Sequence, residues 1–295
     1  MKSIFAKRAL LPDGWASDVL VIIDKTGYIL SVEYSKALFD STQVDILLPS
    51  PVNLHSHSFQ RAMAGLTERK GPDPSDSFWT WRKLMYRFLD QLCPEDIEVI
   101  TSFVQMEMLE AGYCCNVEFH YLHHKPDGSH YDNVHELSDR IIAATNQSGI
   151  GITLLPVLYE QGGCDSRKLE KGQFRFGNDL DTYLSICESA RYSAKDLPID
   201  TKVGVAPHSL RAVTYESLKN LVKQNEGNIH MHLAEQTGEV DEIREFYGSR
   251  PVDWLLENFE VDAKWCLIHC TQMNDVETRR LGQTEAVVGL CPITE

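Results

Sequence analysis

The sequence predicts an α/β fold on a parallel sheet, preceded by a short β segment. Three observations carry this. From residue 49 to the end, apolar runs of strand length alternate with segments of helical spacing. Those runs are apolar on both faces, as strands become when helices cover both sides of a parallel sheet. Residues 1–48 read as β structure alone.

The elements follow in order. DVLVIID (18–24) and YILSVEY (28–34) flank KTG, a glycine turn that makes them a hairpin. LLPSPVNLHSH is the first buried strand of the larger domain, 49–295. DIEVITSFVQMEMLEAG has helical spacing and ends at Gly112, and NVHELSDRIIAATNQSG ends at Gly149. CCNVEFHYL, GITLLPVLY, KVGVAPHS, NIHMHLAE, WCLIHC and AVVGLCP supply further strands. Helices are expected over NDLDTYLSICESARY, after a Thr214 cap, across 239–259, and after Asn274, whose spacing to Glu277 is that of a capping box. This makes seven strands where an α/β barrel has eight. The pattern fits either an open doubly wound sheet or a barrel lacking its final unit. No GxGxxG or P-loop stands at a strand end, which removes the usual support for a nucleotide-binding open sheet.

Composition narrows the function classes. The chain has 28 Lys and Arg against 43 Asp and Glu, a net charge of −15, so nucleic acid and anionic membranes are poor partners. A small anionic substrate fits if a few Arg are focused in one pocket. None of the eight Cys falls in CxxC spacing, and reduced core thiols in a cytoplasmic protein are expected. There is no signal-peptide pattern at the N-terminus and no apolar run long enough to span a membrane.

The histidines point to chemistry. His55 and His57, two apart at the end of the first strand, share a face, and His230 and His232 repeat the arrangement on the fifth. His208 ends the fourth strand and His269 the sixth. In a barrel the C-terminal strand ends converge on one site, and imidazole nitrogens there suit zinc. Glu235, three residues after His232, could move a proton; alone, it reads equally as a solvated loop residue. Arg82, in FWTWRKLMYRF, and Arg211, three residues past His208, could hold a substrate carboxylate, or serve as surface ion pairs, Arg82 packing on Trp79 and Trp81. The cluster His120, His123, His124, His130 and His135 matches no zinc spacing, and HHKPDGSHYDN reads as a solvated polar loop. Tyr121 stands apart from it, at a strand end.

NLHSHSFQRAMAGLTE, SFWTWRKLMYRF, EMLEAGYCCNVEFHYLHHKPDG, APHSLRAV, HMHLAEQTGEVDE, RPVDWLLEN, WCLIHCTQMNDVE and AVVGLCPITE resemble the formimidoylglutamate deiminases of histidine breakdown, in the amidohydrolase superfamily. FWTWR and EFHYLHH are specific to that subgroup, whereas HxH and HLAE are shared with other aminohydrolases. The resemblance implies a TIM-like (β/α)8 barrel with a small β-sandwich built from both chain ends, residues 1–48 being its N-terminal portion. It implies one zinc ion held by His55, His57, His232 and an Asp of strand eight, the choice of His232 over His230 coming from the family alone. It implies that Glu235 carries a proton to the departing nitrogen, that His269 orients the attacking hydroxide, and that Gln60, Arg82, Tyr121, His208 and Arg211 bind substrate. The reaction would turn N-formimino-L-glutamate and water into N-formyl-L-glutamate and ammonia, and the resemblance allows a homodimer. The family continues past CPITE to the strand-eight Asp, which this sequence does not contain. A 295-residue product is therefore expected to bind zinc with little or no turnover, and to expose unpaired edges on strands one and seven. Two other functions fit parts of the pattern: an aminohydrolase of a purine or guanidino compound, and a non-catalytic zinc-binding or partner-binding protein.

Overall fold

The computed structural model describes residues 1–67 and 78–294, with the side chains of Phe78 and Trp79 outside the description. The chain divides into two compact units, Met1–Pro51 and Val52–Glu295.

In the first unit, β1 (Lys2–Leu11), β2 (Gly14–Ile23), β3 (Ile29–Tyr34) and β4 (Thr42–Leu47) form a sheet of order β3-β2-β1-β4. The β1–β2 and β2–β3 pairs are antiparallel and β1–β4 is parallel. The expected hairpin is β2–β3. Its turn is closed by Asp24, whose Oδ1 accepts the N–H groups of Thr26 and Tyr28. Ala6, Ala9, Val19 and Val21 form the buried face.

The second unit alternates strand and helix. Its elements are β5 (Val52–Ser56), α1 (Phe78–Leu89), α2 (Pro94–Glu110), β6 (Cys115–His120), α3 (Glu136–Ser148), β7 (Gly151–Leu158), α4 (Leu180–Ser193), β8 (Lys202–Val203) and β9 (Ala206–Pro207). They continue with α5 (Tyr215–Gln224), β10 (Ile229–Leu233), α6 (Thr237–Tyr247), α7 (Pro251–Asn258), β11 (Trp265–His269), α8 (Asp275–Leu281) and β12 (Val287–Gly289). Ladders run β5-β6-β7, from β7 to both β8 and β9, and β10-β11-β12, all parallel. A parallel bridge from Val205 to Ile229 joins the two sets. Strand order therefore follows chain order without reversing. That is the wall of a barrel, since a doubly wound sheet reverses its order at a switch point. Among the described residues no ladder joins β12 to β5.

Expected as one strand, KVGVAPHS is split into β8 and β9 around Gly204. The Gly204 N–H donates to Leu154 O, and a Cβ there would lie 2.7 Å from Leu155 Cδ2, so a larger residue would have to displace the tip of that buried side chain. Every residue of β10 and β11 is buried, as the two-sided apolar pattern predicts. β5, expected to be buried as well, is not: Val52 and Leu54 are exposed where, among the described residues, the strand pairs on one side only, with β6. The caps also fall where the sequence puts them. Thr214 Oγ1 accepts the Ser217 N–H, Asn274 Oδ1 accepts those of Val276 and Glu277, and Gly149 closes α3 at φ 74°.

The polar loop after β6 departs from expectation. His120, His123 and His124 are buried, although His130 is exposed. Arg175, itself buried, draws the segment inward: its Nε donates to His124 O (2.8 Å), and its own carbonyl accepts the N–H groups of His123 and His124. Buried carbonyl partners replace water, so a polar sequence lies inside. All eight cysteines are free; Cys164, Cys187, Cys266 and Cys270 are buried as expected, whereas Cys93 and Cys114 are exposed. Among the described residues no helix is long and apolar enough to cross a membrane.

Candidate active site

The C-terminal ends of the parallel strands open into a cavity of about 600 Å³. His55 reaches it from β5 and His57 from just past that strand, His208 from beyond β9, His232 from β10 and His269 from the end of β11. His55 Nε2 lies 3.0 Å from His57 Nε2 and 3.1 Å from His232 Nε2. The ligand atoms of His55, His232 and His269 also lie within 4.8 Å of one another. Four imidazoles thus converge. The sequence leaves His230 and His232 equivalent; the structure separates them, for His230 is buried outside the cavity lining.

Tautomers say what the cluster can hold. His57 Nδ1 donates to Phe119 O (2.9 Å) and His232 Nδ1 to His208 O (3.2 Å). A carbonyl only accepts, so both Nδ1 atoms carry hydrogen and both Nε2 atoms present lone pairs to the cluster. His55 Nε2 can donate to one of them at most. At least one lone pair therefore faces another nitrogen with no proton between them. Burial holds the rings neutral: it pushes His57 down to about 4 and drives His55 and His232 well below the usual histidine range. A cation resolves the conflict. Two ligands of a tetrahedral zinc, each at about 2.0–2.1 Å, stand about 3.3 Å apart, close to the spacings seen. The donor set fits such an ion.

The turns after β10 and β11 bring in the remaining groups. Ala234, His269 and Cys270 adopt positive φ (52°, 73° and 56°), sharp reversals that non-glycine residues adopt at a cost. Buried Glu239, in the first turn of α6, secures the first reversal: its carboxylate accepts the N–H groups of Ala234 (3.1 Å) and Glu235 (3.0 Å). Glu235 Oε1 then lies 3.7 Å from His269 Nε2. Burial raises the Glu235 carboxyl above the ordinary carboxylate range, which suits a group that gains and loses a proton.

Gln60, Arg82, Tyr121, His208 and Arg211 all line the same cavity. Gln60, from a 3₁₀ turn over Ser58–Met63, approaches Tyr121 Oη at 3.5 Å, and the Tyr121 and His208 rings are 5.9 Å apart. Of the surface alternatives for Arg82, its packing on Trp79 falls on a side chain outside the described residues. Beside the imidazoles the ionisable lining residues include the two guanidinium groups of Arg82 and Arg211 and one carboxyl, Glu235, so positive groups outnumber negative in the cavity of a strongly acidic chain. Field focusing there favours an anion.

Sequence reasoning missed Tyr86, Tyr159 and Phe176, which also line the cavity. A signal existed for Tyr159: it directly follows β7 as Tyr121 follows β6. It also missed Glu118, buried on β6, whose carboxylate accepts the N–H (2.7 Å) and hydroxyl (2.6 Å) of Ser58 and so anchors the chain next to His57.

The amidohydrolase family profile matches residues 46–295, and that of the N-terminal domain of formimidoylglutamate deiminase HutF matches residues 1–37. The formimidoylglutamate deiminase of Pseudomonas aeruginosa is 43% identical over 301 residues, spanning 100% of this chain and 65% of that protein. The 8-oxoguanine deaminase of the same species is 27% identical over 264 residues, spanning 86% of this chain and 54% of that protein. Among solved structures, an amidohydrolase from Brucella melitensis matches with a TM-score of 0.95 and 43% identity, over 100% of this chain and 65% of that one. An adenosine deaminase from Xanthomonas campestris with bound zinc matches with a TM-score of 0.72 and 17% identity, over 98% of this chain and 62% of that one. That last likeness concerns the fold alone. The chain spans at most 65% of the length of these relatives. With strand order in chain order, imidazoles at the strand ends and a profile match over residues 46–295, the chain belongs to the amidohydrolase family.

Proposed function

We propose that the site is that of a zinc-dependent formimidoylglutamate deiminase, which releases ammonia from N-formimino-L-glutamate to leave N-formyl-L-glutamate. One observation carries this beyond the family: two arginines share one cavity with the imidazole cluster, so a dianionic substrate can lie with its formimino carbon at the cluster. Identity of 43% to the Pseudomonas aeruginosa enzyme supports the same choice.

In this reading His55, His57 and His232 hold one zinc ion per chain. Two of the three have Nδ1 fixed by a carbonyl, an outer-shell contact that aims Nε2. His269 is the fourth imidazole, and its place beside Glu235 suits it to orient the attacking oxygen. Zinc supplies a water acidified to near neutrality and an electrophile for the substrate. Glu235, its carboxyl raised by burial, carries protons from the attacking water to the departing nitrogen, so that both water hydrogens end on the nitrogen, which leaves as ammonia, and the carboxyl returns to its starting state. Arg82 and Arg211 bind the carboxylates, while Gln60, Tyr121 and His208 line the formimino end. Residues 1–48 serve as the N-terminal share of a β-sandwich. The expected setting is a cytoplasmic enzyme, a homodimer in solution, with no nucleic-acid partner.

Ammonia release from N-formimino-L-glutamate, with zinc measured on the same sample, tests the reading. We expect about one zinc per chain and, however slow the turnover, more ammonia from N-formimino-L-glutamate than from guanine or a guanidino acid. Zinc at that level with no ammonia from any of them would leave a metal-binding protein without this chemistry, and preference for a purine would move the chain toward the 8-oxoguanine deaminase relative.

A further inference from the structure

Tyr159, at the end of GITLLPVLY, and Gln173, outside every segment quoted above, together fix the direction of a proton in the cavity. Gln173 ends a short 3₁₀ turn at Lys171–Gln173 and is buried. Its Oε1 accepts the Glu170 N–H (2.9 Å), so the atom facing Tyr159 must be the amide nitrogen, which donates to the Tyr159 hydroxyl at 2.8 Å. Arg82 Nη2 donates to the same oxygen at 3.4 Å, and a guanidinium has nothing to accept with. Both lone pairs of the Tyr159 oxygen are therefore used. Its O–H can only donate, and the side chain lines the cavity. The same turn positions a second hydroxyl: Gly172 lies against Tyr86, whose ring carbon Cδ2 would be 2.2 Å from a Cβ there, and the Tyr86 hydroxyl accepts from Arg82 Nε.

We infer that Tyr159 is a substrate-contacting, specificity-determining residue that donates its hydroxyl hydrogen to a carboxylate of the substrate beside Arg82, with Gln173 as the positioning residue that forces this direction. The inference rests on the proposed acidic N-formimino substrate and deepens it. A carboxylate offers only acceptors, so it meets the guanidinium and the hydroxyl at once. An amide nitrogen or ammonium in that place would meet donors on both sides and be refused.

The test uses the 295-residue chain and N-acetyl-L-glutamate, an unreactive probe with both carboxylates, in a calorimetric titration. Tyr159→Phe should weaken binding about tenfold or more, since a hydrogen bond to a charged group is lost. Gln173→Glu keeps an acceptor for Glu170 and gives the tyrosine hydroxyl a carboxylate to turn toward, so it should cause a similar loss. In the Tyr159→Phe background Gln173→Glu should then add less than about threefold, because its effect runs through that hydroxyl. Thermal melts of each variant separate loss of binding from loss of fold. Wild-type binding with unchanged variants overturns the role of Tyr159 alone. A full, additive loss in the double variant overturns the role of Gln173. Failure of the wild type to bind at millimolar probe sinks the acidic-substrate reading and this inference with it.

Discussion

Replacing Glu239 tests how the site is held together. Its side chain is fully buried and its two oxygens accept the Ala234 and Glu235 N–H groups at 3.1 and 3.0 Å. Glu239→Ala leaves both donors, the buried Ala234 N–H and the half-buried Glu235 N–H, without these partners, at up to about 1–3 kcal/mol each. Relief of the carboxylate's own burial offsets part of this, so the net loss should be about 2–4 kcal/mol. At about 2–4 °C per kcal/mol for a chain of this size, the melting temperature should fall by about 4–16 °C. Glu239→Gln keeps one acceptor and sets an amide NH2 against the other N–H, so roughly half that loss is expected. Neither change touches the imidazoles. Zinc content should therefore survive while ammonia release falls with the displacement of Glu235. Differential scanning calorimetry with metal analysis reads both. A Glu239→Ala protein that melts within about 2 °C of wild type would refute the reasoning, because the two amides would then have found other partners at no cost.

Three further expectations follow from the same geometry. Burial pushes His120 down to about 3 and His124 down to about 4, whereas the unfolded residues protonate near about 6.5. Their contribution to stability is therefore complete above about pH 6.5 and drains as pH falls toward those values. By pH 5 each should have cost about 2 kcal/mol, and a melting temperature unchanged between pH 7 and pH 5 would contradict it. Excess zinc at about 100 times its dissociation constant should stabilise the chain by about 2.7 kcal/mol, read as a melting shift that a chelator reverses and His232→Ala abolishes. Arg175→Met removes donors to the carbonyls of Leu92 (3.0 Å), Leu89 and His124, and should cost about 3–5 kcal/mol by denaturant titration.

What could be read from the sequence was what has a period. Two-residue spacing puts His55 and His57 on one face, the two-sided apolar runs of β10 and β11 are buried throughout, and Thr214 and Asn274 cap helices because their partners are two or three residues away. Convergence of the histidines followed once the strands were ordered. What escaped was set by contacts distant in sequence. His230 and His232 differ in depth along a barrel strand, which alternation cannot express. The burial of His120, His123 and His124 depends on Arg175, some fifty residues on, and a polar segment gives no sign that its partners are carbonyls rather than water. Arg82, Tyr159 and Gln173 meet from three parts of the chain with no shared spacing.

The same division separates the chemistry from its selectivity. The clustered imidazoles sit at or just past strand ends, where barrel geometry brings them together, so a sequence pattern finds them. In the proposed reading substrate choice falls to side chains on the connections, and these are held by further residues: Arg82 by Tyr86 and Tyr159, Tyr159 by Gln173, as the proton carrier Glu235 is by Glu239. A supporting residue touches no substrate and follows no motif. It can change with the loop that carries it while the imidazole cluster stays the same. The residues that distinguish an acidic substrate from a purine in such a barrel should therefore be sought in hydrogen-bond directions around the arginines rather than in the histidine pattern.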